Sequence, residues 1–380
     1  MKLLNNLLAF TAILSLLLMG CSSDDTVPSI EEEDLFPQPV TAIDGFYLLN
    51  QGNMNTNKAS LDFYDYRSGK YLRNTFGETN PEATLGLGDV GNDLAIYGSK
   101  LYAVITKSNK LEIMDAATGK RKGVIDTDID NPRFITFHEG KAYLSAYGND
   151  VNGIVAEIDT TTLQITQTVS VGRQPEQLAA VNGKLYVANA GWASAPDYET
   201  SLSVIDLNSF NVIDKIEVGT NLLHVQSSKY GNLYVSSQGN FGDISSKLHL
   251  IDTETNEVKK TFDIPVTNLT IVDDIAYIVS SAYDWETDSN ITGYHKIDVK
   301  NEVLLNGSFL PESVSDKITA PNALAVDPVS KYIYIADAGD YVSPGKLYCI
   351  DKNGTQKLTI ETGDVPASIA FRHTTTTVDK

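Results

Sequence analysis

An aspartate closes an alternating apolar run at seven places, Asp65, Asp115, Asp159, Asp206, Asp252, Asp298 and Asp351, at intervals of 44 to 53 residues. Upstream of each, a second apolar run carries a tyrosine: Tyr47, Tyr102, Tyr143, Tyr186, Tyr234, Tyr277 and Tyr334. Self-similarity at such a period signals a repeat architecture, in which each unit covers the apolar face of its neighbour. Within a unit the period-two pattern occurs four times, as over residues 176–181, 184–189, 201–206 and 212–218, with turn residues between. Four short strands in a unit of this length make the blade of a propeller. The sequence therefore predicts an all-β, seven-bladed β-propeller. The first unit opens directly on its tyrosine strand at Phe46, and residues 367–372 match the strand it lacks. Blade one is then closed by the C-terminal strand, which leaves no open edge.

Ahead of the repeats, Lys2 precedes an apolar run over residues 7–18, the charge layout and length of a secretory signal and too short for a membrane span. The run ends on Leu18-Met19-Gly20-Cys21, which resembles the lipobox of bacterial lipoproteins. Residues 1–20 are thus expected to be a signal peptide and Cys21 a lipidated N-terminus, several acyl chains anchoring stably where one is marginal. Ser22, Ser23, Asp24 and Asp25 resemble the acidic signal that sends Bacteroidetes lipoproteins to the outer face of the outer membrane. Residues 21–40, rich in Ser, Asp, Glu and Pro, are expected to be a flexible tether, followed by the propeller over 41–374 and a tail over 375–380. Cys349 is the one cysteine after Cys21, which excludes an intramolecular disulfide and a cysteine-based metal site from the mature chain. A net charge of −20 disfavours nucleic acid and anionic lipid, so membrane contact is expected through the lipid anchor only.

Loop lengths distinguish the two faces of such a propeller. Connections from first to second and third to fourth strands are short turns, among them Asn182-Gly183, Asp273-Asp274, Thr118-Gly119 and Asn353-Gly354. The opposite face carries long loops near residues 50–60, 147–153, 189–201, 237–246, 280–293 and 337–345. Long loops on a rigid scaffold are where function concentrates. Trp192, Trp285, Tyr147, Tyr198, Phe241, Tyr283 and Tyr341 fall in them, beside Gln51, Asn53, Asn149, Asn189, Gln238, Asn240 and Asp340. Aromatic area with amide and acidic partners suits a broad amphipathic ligand.

The first strands align on Leu94, Ile135, Leu178, Leu223, Leu269, Leu324 and Ile369, which are expected between blades. Their next neighbours, Ala95, Thr136, Ala179, His224, Thr270, Ala325 and Ala370, then face the central channel, with Asp93, Gln177, Asn268 and Ser368 ringing its mouth. His224 is the one axial histidine, and a lone histidine makes neither a two-histidine zinc site nor a lyase pair. The aligned acidic positions do not present the converging oxygens that calcium takes. No phosphate-binding glycine motif is found and no segment reads as a helix. The expectation is a binding face, with no catalytic residues, no catalytic cofactor and no metal, rather than an enzyme.

Leu185-Tyr186-Val187-Ala188-Asn189 and Ser203-Val204-Ile205-Asp206 resemble the YVTN-type propellers. The runs Phe46-Tyr47-Leu48-Leu49-Asn50-Gln51-Gly52 and Asp89-Val90-Gly91-Asn92-Asp93 are similar to those of Bacteroidetes surface lipoproteins encoded with outer-membrane transporters, in particular the BtuG-type family. That resemblance implies capture of cobalamin (vitamin B12) or a related corrinoid at the cell surface, and its transfer to a BtuB-type TonB-dependent outer-membrane barrel. Two other readings stay open, a glycan-binding surface propeller and a propeller lactonase or lyase.

Overall fold

The computed structural model describes residues 39–284 and 289–377; the signal peptide, Cys21, residues 21–38 of the tether, Trp285 and the end of the tail lie outside the described residues. These residues form seven four-stranded sheets, each one repeat of the sequence. Blade four, for example, runs Pro175–Val181, Lys184–Asn189, Ser201–Asp206 and Asn211–Glu217, antiparallel throughout. Blade one has the order Pro366–Thr377, Pro39–Asn50, Ser60–Asp65, Lys70–Leu72, so the C-terminal strand is its innermost member.

The recurring aspartate owes its place to the turn that follows it. Asp159 accepts the N–H groups of Thr161 and Thr162 at 2.8 and 2.7 Å, and Asp206 those of Asn208 and Ser209 at 3.2 and 2.8 Å. Such Asx turns reverse the chain between the third and fourth strands without a glycine at every corner. The donated N–H groups hold the Asp159 and Asp206 carboxyls below the ordinary carboxylate range. A β-bulge falls just before the aspartate in successive blades, between Glu157 and Ile158, Val204 and Ile205, and Leu250 and Ile251. The bulges add local twist to the outer strand.

The core lies between blades. Tyr102, Val104 and Ile113 of blade two pack with Ile135, Leu144 and Ile158 of blade three, all buried. Full burial of each such side chain is worth about 1.5–3 kcal/mol. The seam that closes the ring is built likewise, with Phe46 and Leu48 against Tyr334, Ala336 and Leu347 of blade seven. Arg372, on the closing strand, adds a two-bonded ion pair to buried Asp44 at 2.7 and 2.9 Å. Its guanidinium also covers the Phe63 ring at 4.3 Å and donates to the Ala117 carbonyl at 3.1 Å.

Two expectations need correction. The chain does contain short helices, Thr75–Thr79 and Glu312–Ser315, and a 3-10 turn at Trp192–Ser194. The two helices follow fourth strands of only three residues, Lys70–Leu72 and Val303–Leu305, and bury Phe76 and Val314 where a longer strand would lie. Residues 280–293 are also not a loop throughout. Strands Ile275–Asp284 and Ser289–Asp298 extend as a hairpin paired up to Asp284 and Ser289, and the side chain of Tyr283 lies outside the described ones.

Candidate functional site

The innermost strands surround a cavity of about 830 Å³ that runs along the axis and is bordered by Gln51, Gln238 and Tyr341 from the long loops. Four of these strands begin on proline, which sets their frame: Pro132-Arg133-Phe134-Ile135, Pro175-Glu176-Gln177-Leu178, Pro321-Asn322-Ala323-Leu324 and Pro366-Ala367-Ser368-Ile369. Opposite the repeat tyrosines Tyr102, Tyr143, Tyr186 and Tyr234 stand Ala95, Thr136, Ala179 and Gln226. His224 is therefore two residues removed from its expected level. It belongs to the ring of Asp93, Phe134, Gln177, Asn268, Ala323 and Ser368, while Val225 takes the place expected for Leu223. The bulge between Leu222 and Val225 stands also in blades three and four, between Pro132 and Ile135 and between Pro175 and Leu178. In blade five Leu222 takes the place of those prolines, so Leu223 is not the aligned apolar residue, and a shift of two keeps the inward parity that periodicity reveals.

The ring stitches blade to blade. Ser368 meets the Leu94 N–H at 3.2 Å, Asp93 accepts the Ile135 N–H at 3.0 Å, and Gln177 accepts the Val225 N–H at 2.9 Å. The two nitrogens of His224 lie 3.3 Å from Gln177 Oε1 and 2.9 Å from the Thr267 carbonyl. Asn92 and Asn322, one residue nearer the loops, donate to the Arg133 and Pro366 carbonyls. Burial raises the Asp93 carboxyl, against the lowering effect of the Ile135 and Leu94 N–H groups. Burial lowers His224, whose bond to the Thr267 carbonyl works the other way. Both shifts move charge off the axis, where desolvation is most costly.

Arg133 is the one Lys or Arg side chain lining the cavity among the described residues. Its Nε donates to Glu176 Oε2 at 2.9 Å, and its guanidinium lies 5.2 and 5.7 Å from the ring centroids of Tyr147 and Phe134. Tyr147 donates its hydroxyl proton to Glu176 and accepts the indole N–H of Trp192 at 3.0 Å. Burial alone would lower the Arg133 pKa; the charge and hydrogen bond of Glu176, together with Tyr147 and Asp93, outweigh it and leave the pKa raised.

Of the residues expected at the site, Gln51, Gln238, Tyr341, Asp93, Gln177, Asn268 and His224 line this cavity. Trp192, Phe241, Tyr198, Asn53, Asn240 and Asp340 stand outside it on the loops. Phe241 is 76 % exposed, in a loop whose Gly239 has φ 69° and would set a Cβ against the Ile244 carbonyl. Asn240 and Asp340 bond to their own loops, Asn240 through the Gly242 and Ile244 N–H groups and Asp340 through those of Val342 and Ser343. Asn53 ties its loop to Asp364 and to the Val342 carbonyl. Asn149 lies at a separate hollow of about 450 Å³ with Asp128, Asp130 and Asp150. Asn189 is fully buried, donating to the Ser201 carbonyl and accepting the Gly172 N–H, so it holds the loop from beneath.

Other exposed apolar side chains join the aromatics on this face, Met54, Val151, Ile244 and Val342 on the long loops and Ile291 on the extended hairpin. Sequence reasoning missed these, and Arg133, Asn92, Asn322 and Gln226 in the channel. For two of them the prolines were the available signal, since Arg133 and Asn322 each follow the proline that opens a first strand and line the cavity.

Residues 44–365 match the family described as a domain of unknown function, DUF5074. No curated protein matches the chain. Among solved structures, a quinoprotein alcohol dehydrogenase-like protein from Bacteroides thetaiotaomicron is 18 % identical with a TM-score of 0.61, covering 87 % of this chain and 79 % of that one. Hydrazine synthase from Kuenenia stuttgartiensis is 16 % identical with a TM-score of 0.59, covering 74 % of this chain and 89 % of that one. At these identities the likeness is one of fold.

Proposed function

We propose that this chain, which belongs to the DUF5074 family, is a lipid-anchored binding protein of the cell surface that captures cobalamin or a related corrinoid on its loop-bearing face. The observation that carries this reading is an amide-lined cavity of about 830 Å³ bordered by loops that expose Trp192, Phe241, Tyr341 and Met54. A corrinoid is a broad apolar disc fringed with amides. Gln51, Gln226 and Asn268 supply hydrogen-bonding groups inward, and the exposed rings supply area outward. Rigid capture needs both, because ordering mobile side chains costs affinity. In this proposal the ligand passes from the loops to a TonB-dependent outer-membrane barrel, and Cys21 carries the anchor.

Calorimetry on the mature chain tests the reading. Cobalamin should bind, and Trp192→Ala or Phe241→Ala should weaken it by tens of fold, since truncating an aromatic anchor costs on the order of 2 kcal/mol. Asn353→Ala, in a turn on the opposite face, should bind like wild type. Absence of corrinoid binding, or two aromatic variants indistinguishable from wild type, would refute it. Oligosaccharide binding in place of corrinoid would favour the glycan alternative.

A further inference from the structure

We infer that Arg133 forms a subsite for a monoanionic phosphodiester, the one carried by the nucleotide loop of a complete corrinoid; the choice of that ligand rests on the reading above. The guanidinium is held on one edge and open on the other. Its Nε is committed to Glu176 at 2.9 Å, while neither Nη group has a hydrogen-bond acceptor among the described residues. The side chain nonetheless borders the cavity. Tyr147 and Phe134 lie near it at 5.2 and 5.7 Å, so the fork is fixed in place before any ligand arrives. A planar fork with free parallel donors matches the two non-bridging oxygens of a phosphodiester.

The local charge balance selects a monoanion. Glu176, 2 % exposed, already neutralises most of the arginine. A dianionic phosphate would meet the Glu176 carboxylate at close range. A diester brings one charge spread over two oxygens, and it enters a cavity lined, apart from Arg133, Asp93 and His224, by amide, hydroxyl, aromatic and aliphatic groups.

Two titrations of the mature chain test the subsite. The first follows Trp192 fluorescence in a Trp285→Phe background while dimethyl phosphate is added, because the Trp192 indole bonds to the tyrosine beside the guanidinium. A saturable change that Arg133→Lys abolishes is expected. Arg133→Lys retains a cation opposite Glu176 and so keeps the buried pair, but lacks the fork. The double variant Arg133→Gln, Glu176→Gln removes both charges and should behave the same way. No saturable change in the Arg133 protein overturns the subsite.

The second titration compares cobalamin with cobinamide, which lacks the nucleotide loop and its phosphodiester. Cobalamin should bind tighter on the order of tenfold or more, and Arg133→Lys should erase that preference by weakening cobalamin far more than cobinamide. Equal affinity of the two corrinoids for wild type, or an unchanged preference in the variant, overturns the subsite and leaves corrinoid capture intact. Dimethyl phosphate binding with no corrinoid binding does the reverse.

Discussion

Removing Arg372 should weaken the ring at its seam. In Arg372→Ala, Asp44 loses bonds at 2.7 and 2.9 Å, the Ala117 carbonyl loses a donor at 3.1 Å, and the Phe63 ring loses its cationic cover. Breaking a buried ion pair from one side typically costs about 3–5 kcal/mol, because the remaining charge stays desolvated. Here Arg67 already lies 3.6 Å from the same carboxylate and is largely exposed, so it can move in and recover part of the loss. We expect a net cost of about 3 kcal/mol. For a cooperative unit the size of Ala42–Thr374, each kcal/mol lowers Tm by about 1.4 °C, which gives a fall of about 4 °C. Circular dichroism melts of wild type, Arg372→Ala and the double variant Asp44→Asn, Arg372→Gln provide the assay. The double variant should regain much of the loss, since it leaves no unpaired charge. A single variant that melts within a degree of wild type would mean the seam is held by Phe46, Leu48 and their partners alone, and the ionic part of the reasoning would be wrong.

Acid should weaken the fold partly through His249, whose pKa burial lowers to about 4, with the nearby Lys247 charge acting in the same direction. A histidine with a depressed folded-state pKa contributes stability fully above its unfolded pKa near 6.5 and loses it as pH falls from there toward 4, up to about 3 kcal/mol in all. His249→Asn should therefore flatten the dependence of Tm on pH between 7 and 4; an imidazole that titrates near 6.5 by NMR would contradict this. Asn189→Ala should cost roughly 2–3 kcal/mol, because it strands the buried Gly172 N–H and Ser201 carbonyl. Denaturant melts measure it, and a loss under half a kcal/mol would show that the loop above does not depend on this side chain.

The blade plan was legible because its markers are chemical as well as periodic. Asp159 and Asp206 recur since each caps the same turn through backbone N–H groups, and a turn that needs an acceptor at one position leaves a visible trace. The closing strand was legible for the same reason, as a first strand without a blade. The inner register was harder to read. Leu222 and Leu223 offer two apolar residues for one place, and bulges between Pro175 and Leu178 and between Leu222 and Val225 insert residues that alternation does not reveal. Parity survived, so His224 faces the axis, two residues from its expected level. At the candidate site, residue type misled in Asn189, since an amide after a strand can serve a ligand or brace its own loop. Burial decides between these, and burial of a single side chain follows from tertiary packing that no local pattern encodes. Arg133 escaped notice because a lone arginine within a strand carries no motif; only its neighbours Glu176, Tyr147 and Phe134 make it distinctive.

The aspartate-capped turns sit at the end of each blade away from the long loops, and this separation makes the scaffold reprogrammable. The loops between the second and third strands are tied to the blade at their first residues, as Ala190 and Gly191 are to the Gln174 and Arg173 carbonyls. Blade six already carries a changed connection there, its hairpin growing outward through Asp284 and Ser289 while residues 275–279 keep their pairing with Asn268–Val272. Loops of other length and chemistry could therefore be exchanged one blade at a time, which would make this propeller a usable chassis for libraries of binding faces whose folding is decided on the far side.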